Sequence, residues 1–162
     1  MPELICDTSA LQYLHQLGLL HILKVLGEQV TVPPAVGAEL AEGRARGIDV
    51  PKLSELEWLS MRSPARTVSL PQARDLGAGE TEVLALALES PDAVVVLDDR
   101  LARNVADELG LRLTGTLGLL IDAKNKGLVS VVGPLLDRLQ SLRFRLSPAT
   151  RAAVLKLVGE VE

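Results

Sequence analysis

The stretch Ala93-Val94-Val95-Val96-Leu97-Asp98-Asp99 predicts a β-strand that ends in two aspartates. Its five consecutive apolar residues do not alternate with polar ones, which indicates a strand buried on both faces, as in a parallel sheet covered by helices. Leu4-Ile5-Cys6 is a shorter apolar run, and it also ends in an aspartate, Asp7. The chain is therefore predicted to be an α/β protein with carboxylates at the ends of its strands.

Strands and helices alternate along the rest of the chain. Further strands are predicted at Gln29–Val32, 58–61 and 111–114. Helices are predicted at 10–17, 19–26, from Pro33-Pro34, from about Gly79, and at 101–109, 117–126, 133–142 and 148–158. This alternation predicts a three-layer sandwich with a mostly parallel sheet of about four to five strands flanked by helices. We expect residues 1–162 to form a single domain, with the C-terminal helices of about 133–162 packed on the core or on a partner.

Composition restricts the class of protein. Hydrophobic residues make up 48% and charged residues 23% of the 162 residues, as in an ordinary globular domain. The single cysteine, Cys6, excludes an internal disulfide and a cysteine-based zinc cage. The start of the chain lacks a signal-peptide pattern, and Gly18, His21 and Lys24 interrupt the longest apolar stretch. We therefore expect a cytoplasmic protein that does not span a membrane.

Charge is distributed unevenly along the chain. Residues 1–99 carry 7 Lys and Arg and 15 Asp and Glu, a balance of −8, whereas residues 100–162 carry 10 and 6, a balance of +4. The total of −4 argues against a simple nucleic-acid-binding protein. The asymmetry suits a cation-holding pocket beside a surface that meets phosphates, although it is also compatible with ordinary surface solvation.

The strand-terminal aspartates are candidate functional residues. In open α/β sheets, ligands bind outside the carboxyl ends of the strands, where Asp7 and Asp98-Asp99 are expected to lie. A single aspartate at such a position is commonly a helix N-cap. Two buried strands that both end this way favour a shared pocket.

Two glutamates on helices are candidates to join these aspartates. Glu39 flanks the apolar stripe formed by Val36 and Leu40. At about 100° per residue, Glu80 lies in line with the core-facing positions of its helix, whereas Glu82 falls on the opposite side and is expected to be solvated. An inward-pointing carboxylate is costly unless it is paired, hydrogen-bonded or bound to a metal.

Convergent carboxylates indicate a metal site. They repel one another, and a hard divalent cation such as Mg²⁺ or Mn²⁺ removes that penalty because it prefers oxygen ligands. One ion or a pair of ions can activate water and stabilise the displacement at a phosphodiester. The pattern therefore predicts a metal-dependent enzyme that acts on phosphodiester bonds.

Several motifs in this chain resemble those of the PIN-domain family in their order. They are Asp7-Thr8-Ser9-Ala10-Leu11, Val32-Pro33-Pro34-Ala35-Val36 with Glu39-Leu40, Gly79-Glu80-Thr81-Glu82-Val83-Leu84-Ala85-Leu86-Ala87, Val95-Val96-Leu97-Asp98-Asp99-Arg100, and Gly115-Thr116-Leu117-Gly118 with Ala123-Lys124. The match covers nearly the whole chain. It is closest to a prokaryotic branch of predicted nucleic-acid-binding proteins related to the VapC toxins.

The resemblance implies a Mg²⁺- or Mn²⁺-dependent endoribonuclease, often a homodimer, and often the toxin of a VapBC-type pair with a small antitoxin partner. It places the four family acids on Asp7, Glu39, Glu80 and either Asp99 or Asp98. Many relatives have Asp at the third of these positions. Many VapC toxins have Thr where this chain has Leu97, which leaves the fourth acid open, and we favour Asp99.

Other candidates are less specific. The hydroxyl of Ser9 is placed to assist a metal or its water, and Arg100 and Arg103 either contact substrate phosphate or pair with Asp98 or Asp107. Five cations, Lys124, Lys126, Arg138, Arg143 and Arg145, form either a basic track or a solvated face. His15 and His21 are six residues apart and do not share a helix face, so a zinc site there is not expected.

Two rival functions remain at this point. The same fold with a weakened metal site would be a binding module that acts by contacting RNA or an antitoxin. A receiver-like phosphoacceptor domain also gathers aspartates at the rim of a parallel sheet. It is disfavoured because two of the four acids here lie on helices.

Overall fold

The centre of the sheet is the short strand β1 (Glu3–Cys6) in the computed structural model, which describes residues 2–66 and 73–160. The sheet has five strands in the order β3-β2-β1-β4-β5, and every neighbouring pair is parallel. The other strands are β2 (Gln29–Val32), β3 (Leu59–Met61), β4 (Val94–Val96) and β5 (Arg112–Thr114). The predicted parallel α/β sheet is confirmed.

Eight α-helices flank this sheet within the described residues. They are α1 (Thr8–Gln16), α2 (Ile22–Leu26), α3 (Pro34–Ala45), α4 (Ala78–Glu89), α5 (Arg100–Glu108), α6 (Thr116–Asn125), α7 (Gly133–Ser141) and α8 (Pro148–Leu157). A short 3-10 helix at Leu53–Glu55 precedes β3.

Burial of the central strands explains their composition. In β1 the side chains of Leu4, Ile5 and Cys6 are all buried, and in β4 both Val95 and Val96 are buried. Consecutive buried residues point to opposite faces of a strand, so both faces of the sheet are covered by helices. The unbroken apolar runs in the sequence therefore reflect two-sided burial.

The register of the two central strands brings their ends together. Cys6 lies opposite Val96, and the N–H of Asp7 donates a hydrogen bond to the Val96 carbonyl at 3.1 Å. The chain leaves β1 towards β2 and β3, and later returns to form β4 and β5 on the other side. The gap between the ends of β1 and β4 is thus the topological switch point, where α/β sheets place their ligands.

Most predicted elements occur within a few residues of their expected bounds, with two differences. The helix predicted at 19–26 begins only at Ile22, because Gly18 turns the chain with a φ of +73° and a turn follows it. The 3-10 helix at Leu53–Glu55 was not predicted. Part of the irregular segment 43–75, including Pro71, lies outside the described residues.

The C-terminal helices contribute to the same core as the sheet. Leu136 and Leu139 of α7 and Val154 of α8 are buried within it. Glu160 follows α8 and accepts hydrogen bonds from the Lys124 Nζ at 2.7 Å and from the N–H groups of Val132 and Gly133 at 2.8 and 2.9 Å. One carboxylate therefore joins α6, the start of α7 and the end of the described chain.

Within the described residues, none of the helices is both long and apolar enough to cross a membrane.

The bonds of Glu160 predict a specific response to acid. They lower its pKa from 4.5 to about 2, with the Lys124 hydrogen bond as the largest cause. A depressed pKa in the folded state adds stability above pH 4.5 that is lost as the pH falls towards 2. We expect Glu160→Gln to lower the free energy of unfolding by about 1–2 kcal/mol at pH 7, because charge-assisted bonds are replaced by neutral ones.

Urea denaturation of both proteins between pH 7 and pH 3 measures this effect. The difference between them should narrow below about pH 4.5. Glu108→Gln, on the exposed side of α5, is the control and should behave like the unchanged protein. A difference that stays constant across this range would contradict the assignment of Glu160.

Candidate active site

Asp7 is a buried carboxylate at the end of β1. Only 5% of its surface is exposed, and its Oδ1 has no hydrogen-bond partner. It occupies the N-cap position of α1, yet its side chain makes no capping hydrogen bond. The common explanation of a strand-terminal aspartate as a helix cap therefore does not account for its side chain.

The surroundings of Asp7 raise its pKa to about 7 from an ordinary value of 3.8. Burial of the carboxylate is the largest cause, and the negative charges of Glu80, Glu39 and Asp98 add to it, while the backbone of Thr8 opposes it. Desolvation and like charges both disfavour the ionised form. These effects show that the three other acids lie near Asp7 at the same end of the sheet.

Glu39 reaches this rim from α3 and is held by two donors. Its Oε2 accepts a hydrogen bond from the hydroxyl of Thr8, and its Oε1 accepts one from the N–H of Gly79 at 3.0 Å. The first donor follows β1, and the second lies in the first turn of α4. Glu39 is thus fixed between the two segments that carry Asp7 and Glu80.

Gly79 is a glycine because of this close approach. A Cβ atom at this position would lie 2.8 Å from both carboxylate oxygens of Glu39. Such a contact is shorter than van der Waals packing permits, so a side chain here would push Glu39 away.

Glu80 points into the site from the first turn of α4, as its helical angle predicts. Its Oε1 accepts a hydrogen bond from the N–H of Gly77 at 3.1 Å, while its Oε2 is buried without a partner. Burial raises its pKa first, and the carboxylates of Asp99 and Glu39 raise it further. Glu80 therefore links Glu39 with the end of β4.

The two aspartates after β4 have different surroundings. Asp98 accepts two hydrogen bonds from Thr116 at the start of α6, from its N–H at 2.8 Å and from its hydroxyl at 2.6 Å. Burial still raises the pKa of Asp98 overall, although Thr116 and then Arg103 lower it. Asp99 is exposed, and its Oδ2 caps α5 by accepting from the N–H of Ala102 at 3.0 Å. Asp99 retains a second carboxylate oxygen on the side of Glu80.

The arginines predicted to bind phosphate differ in position. Arg103 donates a hydrogen bond to the Leu97 carbonyl at 2.7 Å. A Cβ atom added at Gly115 would lie 2.8 Å from the Arg103 guanidinium and 2.8 Å from Asp98 Oδ1, so glycine leaves room for both. Arg100 is exposed at the start of α5. In the described part of the chain, neither arginine forms an ion pair with Asp98 or Asp107. Ser9 is half-buried in the first turn of α1 beside Thr8.

The donor set fits a hard cation, but the residues do not enclose one. Within residues 2–66 and 73–160, no three His, Cys, Asp or Glu side chains are already arranged to hold an ion. The buried oxygens of Asp7 and Glu80 nevertheless lack any partner, and both are carboxylate oxygens, the ligands that Mg²⁺ and Mn²⁺ prefer. Bringing such an ion in would satisfy both atoms and neutralise the repulsion.

The prediction for Glu82 is wrong. We expected it to be solvated, but it is half-buried, and its Oε2 accepts a hydrogen bond from the N–H of Ala35 at 3.0 Å. This N–H lies in the first turn of α3, where backbone donors have no partner within the helix. The helical angle was correct for α4 alone, but the neighbouring helix uses the opposite side.

The remaining charged candidates mostly have structural roles. Lys124 pairs with Glu160, and Arg138 donates to the carbonyls of Gln16 and Leu17. His15 lies 2.9 Å from Asp49. Two of the five cations therefore have partners within the fold.

Sequence reasoning missed the residues that hold the acids in place. Thr8 and Thr116 donate to Glu39 and Asp98, and Gly79 and Gly115 leave room for carboxylates. Their sequence signal is a small residue or threonine at a strand end or helix start. That signal is common in proteins, and only the three-dimensional neighbours give it meaning.

Comparison with known proteins agrees with this fold. A family model described as a PIN domain matches residues 3–160. The structure is similar to a PilT N-terminus domain protein from the hyperthermophilic archaeon Sulfolobus solfataricus, with 20% identity, a TM-score of 0.53, and coverage of 75% of this chain and 92% of that chain. At this identity the likeness shows the fold alone. No curated protein matches the chain.

The contact between Gly79 and Glu39 gives a first prediction for the site. Gly79→Ala should lower the free energy of unfolding by about 1–3 kcal/mol, because the added methyl group overpacks the carboxylate. Gly43→Ala in α3 is the matched control, since its nearest neighbour would be 3.7 Å away. That change should be neutral or stabilising, because alanine favours a helix. Thermal denaturation of both variants compares them, and equal melting temperatures would contradict the crowding.

The raised pKa of Asp7 gives a second prediction. In the metal-free protein, its contribution to stability is fully present below pH 3.8 and is lost as the pH rises towards about 7. Asp7→Asn should remove this dependence and make the metal-free protein more stable at pH 8, by about 1–3 kcal/mol, since a buried charge costs more than a buried amide. Urea denaturation in EDTA between pH 4 and pH 8 measures the free energy of unfolding of the variant and of the unchanged protein. A variant that is less stable at pH 8 would argue against the buried charge.

Proposed function

Because this chain belongs to the PIN-domain family, we propose that it is a metal-dependent ribonuclease that hydrolyses RNA phosphodiesters. The observation that carries the proposal is the pair of buried, partnerless oxygens on Asp7 and Glu80 among mutually repelling carboxylates. A site of this kind costs stability unless its carboxylates are protonated, hydrogen-bonded or bound to a cation. Of these, binding a divalent cation fits the donor atoms best.

The residues have distinct roles in this proposal. Asp7 and Glu80 bind Mg²⁺ or Mn²⁺ through their free oxygens, and Glu39 and Asp99 complete the acidic set. We prefer Asp99 to Asp98 because only one Asp99 oxygen is engaged, in the cap of α5, whereas Thr116 engages both oxygens of Asp98. Glu39 shows that an engaged carboxylate can still belong to the acidic set, so Asp98 stays the alternate. Asp98 then acts as a positioning residue that joins β4 to α6, and Ser9 remains an alternate at the start of α1.

A bound divalent ion would supply an activated water and stabilise negative charge on the phosphate. The protein itself provides orientation and exclusion of water. Thr8 and Gly79 fix Glu39, and the buried end of β1 keeps the Asp7 carboxylate in a poorly solvated place. Arg103 and Arg100, beyond the acids, are the proposed contacts to the substrate backbone.

We extend the proposal to biological context on the motif resemblance described above. The chain acts in the cytoplasm as a single-domain homodimer, and it is the toxin of a VapBC-type pair with a small antitoxin. A small open reading frame that overlaps the gene upstream, and whose product relieves growth arrest on co-expression, would support this role. If neither is found, the toxin assignment fails while the nuclease proposal remains.

A second candidate is a catalytically weak binding module. It is favoured by the observation that no described acids are already arranged as a closed metal site. Calorimetric titration with Mn²⁺ separates the two functions. Binding that Asp7→Asn abolishes supports the nuclease, whereas no binding at millimolar Mn²⁺ supports the module.

Asp7→Asn is the decisive variant for activity. We expect it to reduce Mn²⁺-stimulated cleavage of a labelled structured RNA by at least about a hundredfold, because the free carboxylate oxygen that binds the ion is replaced. The fold should be retained, which circular dichroism checks. Asp92→Asn, in the exposed turn before β4, changes the charge equally and should leave the cleavage rate unchanged. Full activity of Asp7→Asn would overturn the mechanism.

A further inference from the structure

A recess lies beside the acidic site on the side of β5 and α6. It has a volume of about 350 Å³, and its lining includes Asp98, Arg103, Gly115, Phe144, Arg145 and Thr150. We call it the basic groove. Asp98 belongs to its wall and follows β4, whose end lies opposite the end of β1, so the groove lies beside the rim that carries the acids.

The groove presents two cations of different character. Arg103 is half-buried and anchored by its bond to the Leu97 carbonyl. Arg145 is exposed, and no side-chain hydrogen bond or ion pair joins it to another described residue. Arg138 and Arg151, by contrast, are engaged within the fold. Arg145 is thus available to an external anion.

The loop that carries Arg145 is held in a defined shape. Arg143 adopts a φ of +71°, a left-handed conformation that is uncommon for a residue with a side chain. The next residue, Phe144, donates its N–H to the Leu139 carbonyl at 3.0 Å, and its ring packs edge-on against Tyr13 with the centroids 5.0 Å apart. Burial and the charge of Asp98 raise the pKa of Tyr13, so this aromatic pair lies beside the acidic rim. The turn places Phe144 inward and leaves Arg145 exposed.

The walls of the groove are not uniformly polar. Leu113, Leu117 and Phe144 form an apolar side of the groove. Gly115 and Gly118 contribute only backbone to its lining. Fixed aromatic and aliphatic surface beside cations is the arrangement that binds an unpaired nucleotide, with its base on the apolar side and its phosphate on the arginines. The volume is at the lower end of the range of about 300–1,000 Å³ for small-ligand pockets, which suits one nucleotide and not a duplex.

We infer that the basic groove binds one unpaired nucleotide of the RNA, next to the phosphodiester held at the acids, and that Arg145 contacts its phosphate. This inference rests on the proposed ribonuclease function and names the residues that bind the RNA beside the phosphodiester held at the acids. It also gives the net-acidic protein a local attraction for a polyanion, since Arg103 and Arg145 flank the acidic rim on this side.

The test compares Arg145→Ala with Lys156→Ala, a matched loss of one positive charge on α8 outside the groove. Both are made in the Asp7→Asn background, which prevents cleavage. Fluorescence anisotropy with Mg²⁺ measures binding of a labelled single-stranded oligoribonucleotide. Arg145→Ala should weaken binding by about tenfold, and the slope of log affinity against log salt should fall by about 0.7, because one phosphate contact is lost. Lys156→Ala should change neither value.

Cleavage kinetics in the otherwise unchanged protein give an independent readout. Arg145→Ala should raise KM and leave kcat nearly unchanged, as expected for a contact made equally in the ground state and transition state. Unchanged KM and affinity, or an equal effect of Lys156→Ala, would overturn the groove assignment. So would tighter binding of the same oligonucleotide when it is paired in a duplex. None of these outcomes affects the Asp7 dependence of cleavage, whose loss would instead remove the ribonuclease proposal.

Discussion

Repulsion among carboxylates at one rim of the sheet is the constraint on which the site depends. Asp7, Glu39, Glu80 and the pair after β4 influence one another through their charges, and Asp7 does so from a buried position. A sequence free to relieve this cost would need only one neutral substitution. The presence of this cluster of acids beside an apolar core is expected of a site that a cation completes. The cation neutralises the negative charge and binds the free oxygens.

The fold accommodates the repelling carboxylates with backbone hydrogen-bond donors and with glycines that leave room for them. The N–H groups of Gly77 and Gly79 bind Glu80 and Glu39, and α6 begins at Thr116 by binding Asp98. Fixed donors of this kind hold each carboxylate without neutralising it. Because Gly79 has no Cβ, α4 can begin against Glu39 without displacing its carboxylate. The acids are thereby oriented before any ion arrives.

The sequence predicted the parts of this arrangement that depend on a single element. Strand ends located Asp7 and Asp98-Asp99, and the angle around one helix separated Glu80 from the other glutamate. The error at Glu82 has the same origin, since its partner Ala35 belongs to another helix and no periodicity in α4 reveals it. The choice between Asp98 and Asp99 also depends on the folded structure. Their different partners, Thr116 and Ala102, cannot be inferred from two adjacent aspartates in the sequence.

The uneven distribution of charge along the chain has a structural consequence. The acidic segment 1–99 supplies all of the acids at the rim, whereas the basic segment 100–162 supplies cations that pair within the fold and cations that stay exposed. Lys124 pairs with Glu160, which also binds the start of α7 and so joins α7 to α6. This connection supports the loop after α7, which carries Arg145. A cation that is paired within the fold attracts a ligand less than one left exposed beside the rim. The balance of −4 therefore does not argue against binding of a polyanion, since the local field at the rim is set by the few charges that lack partners there.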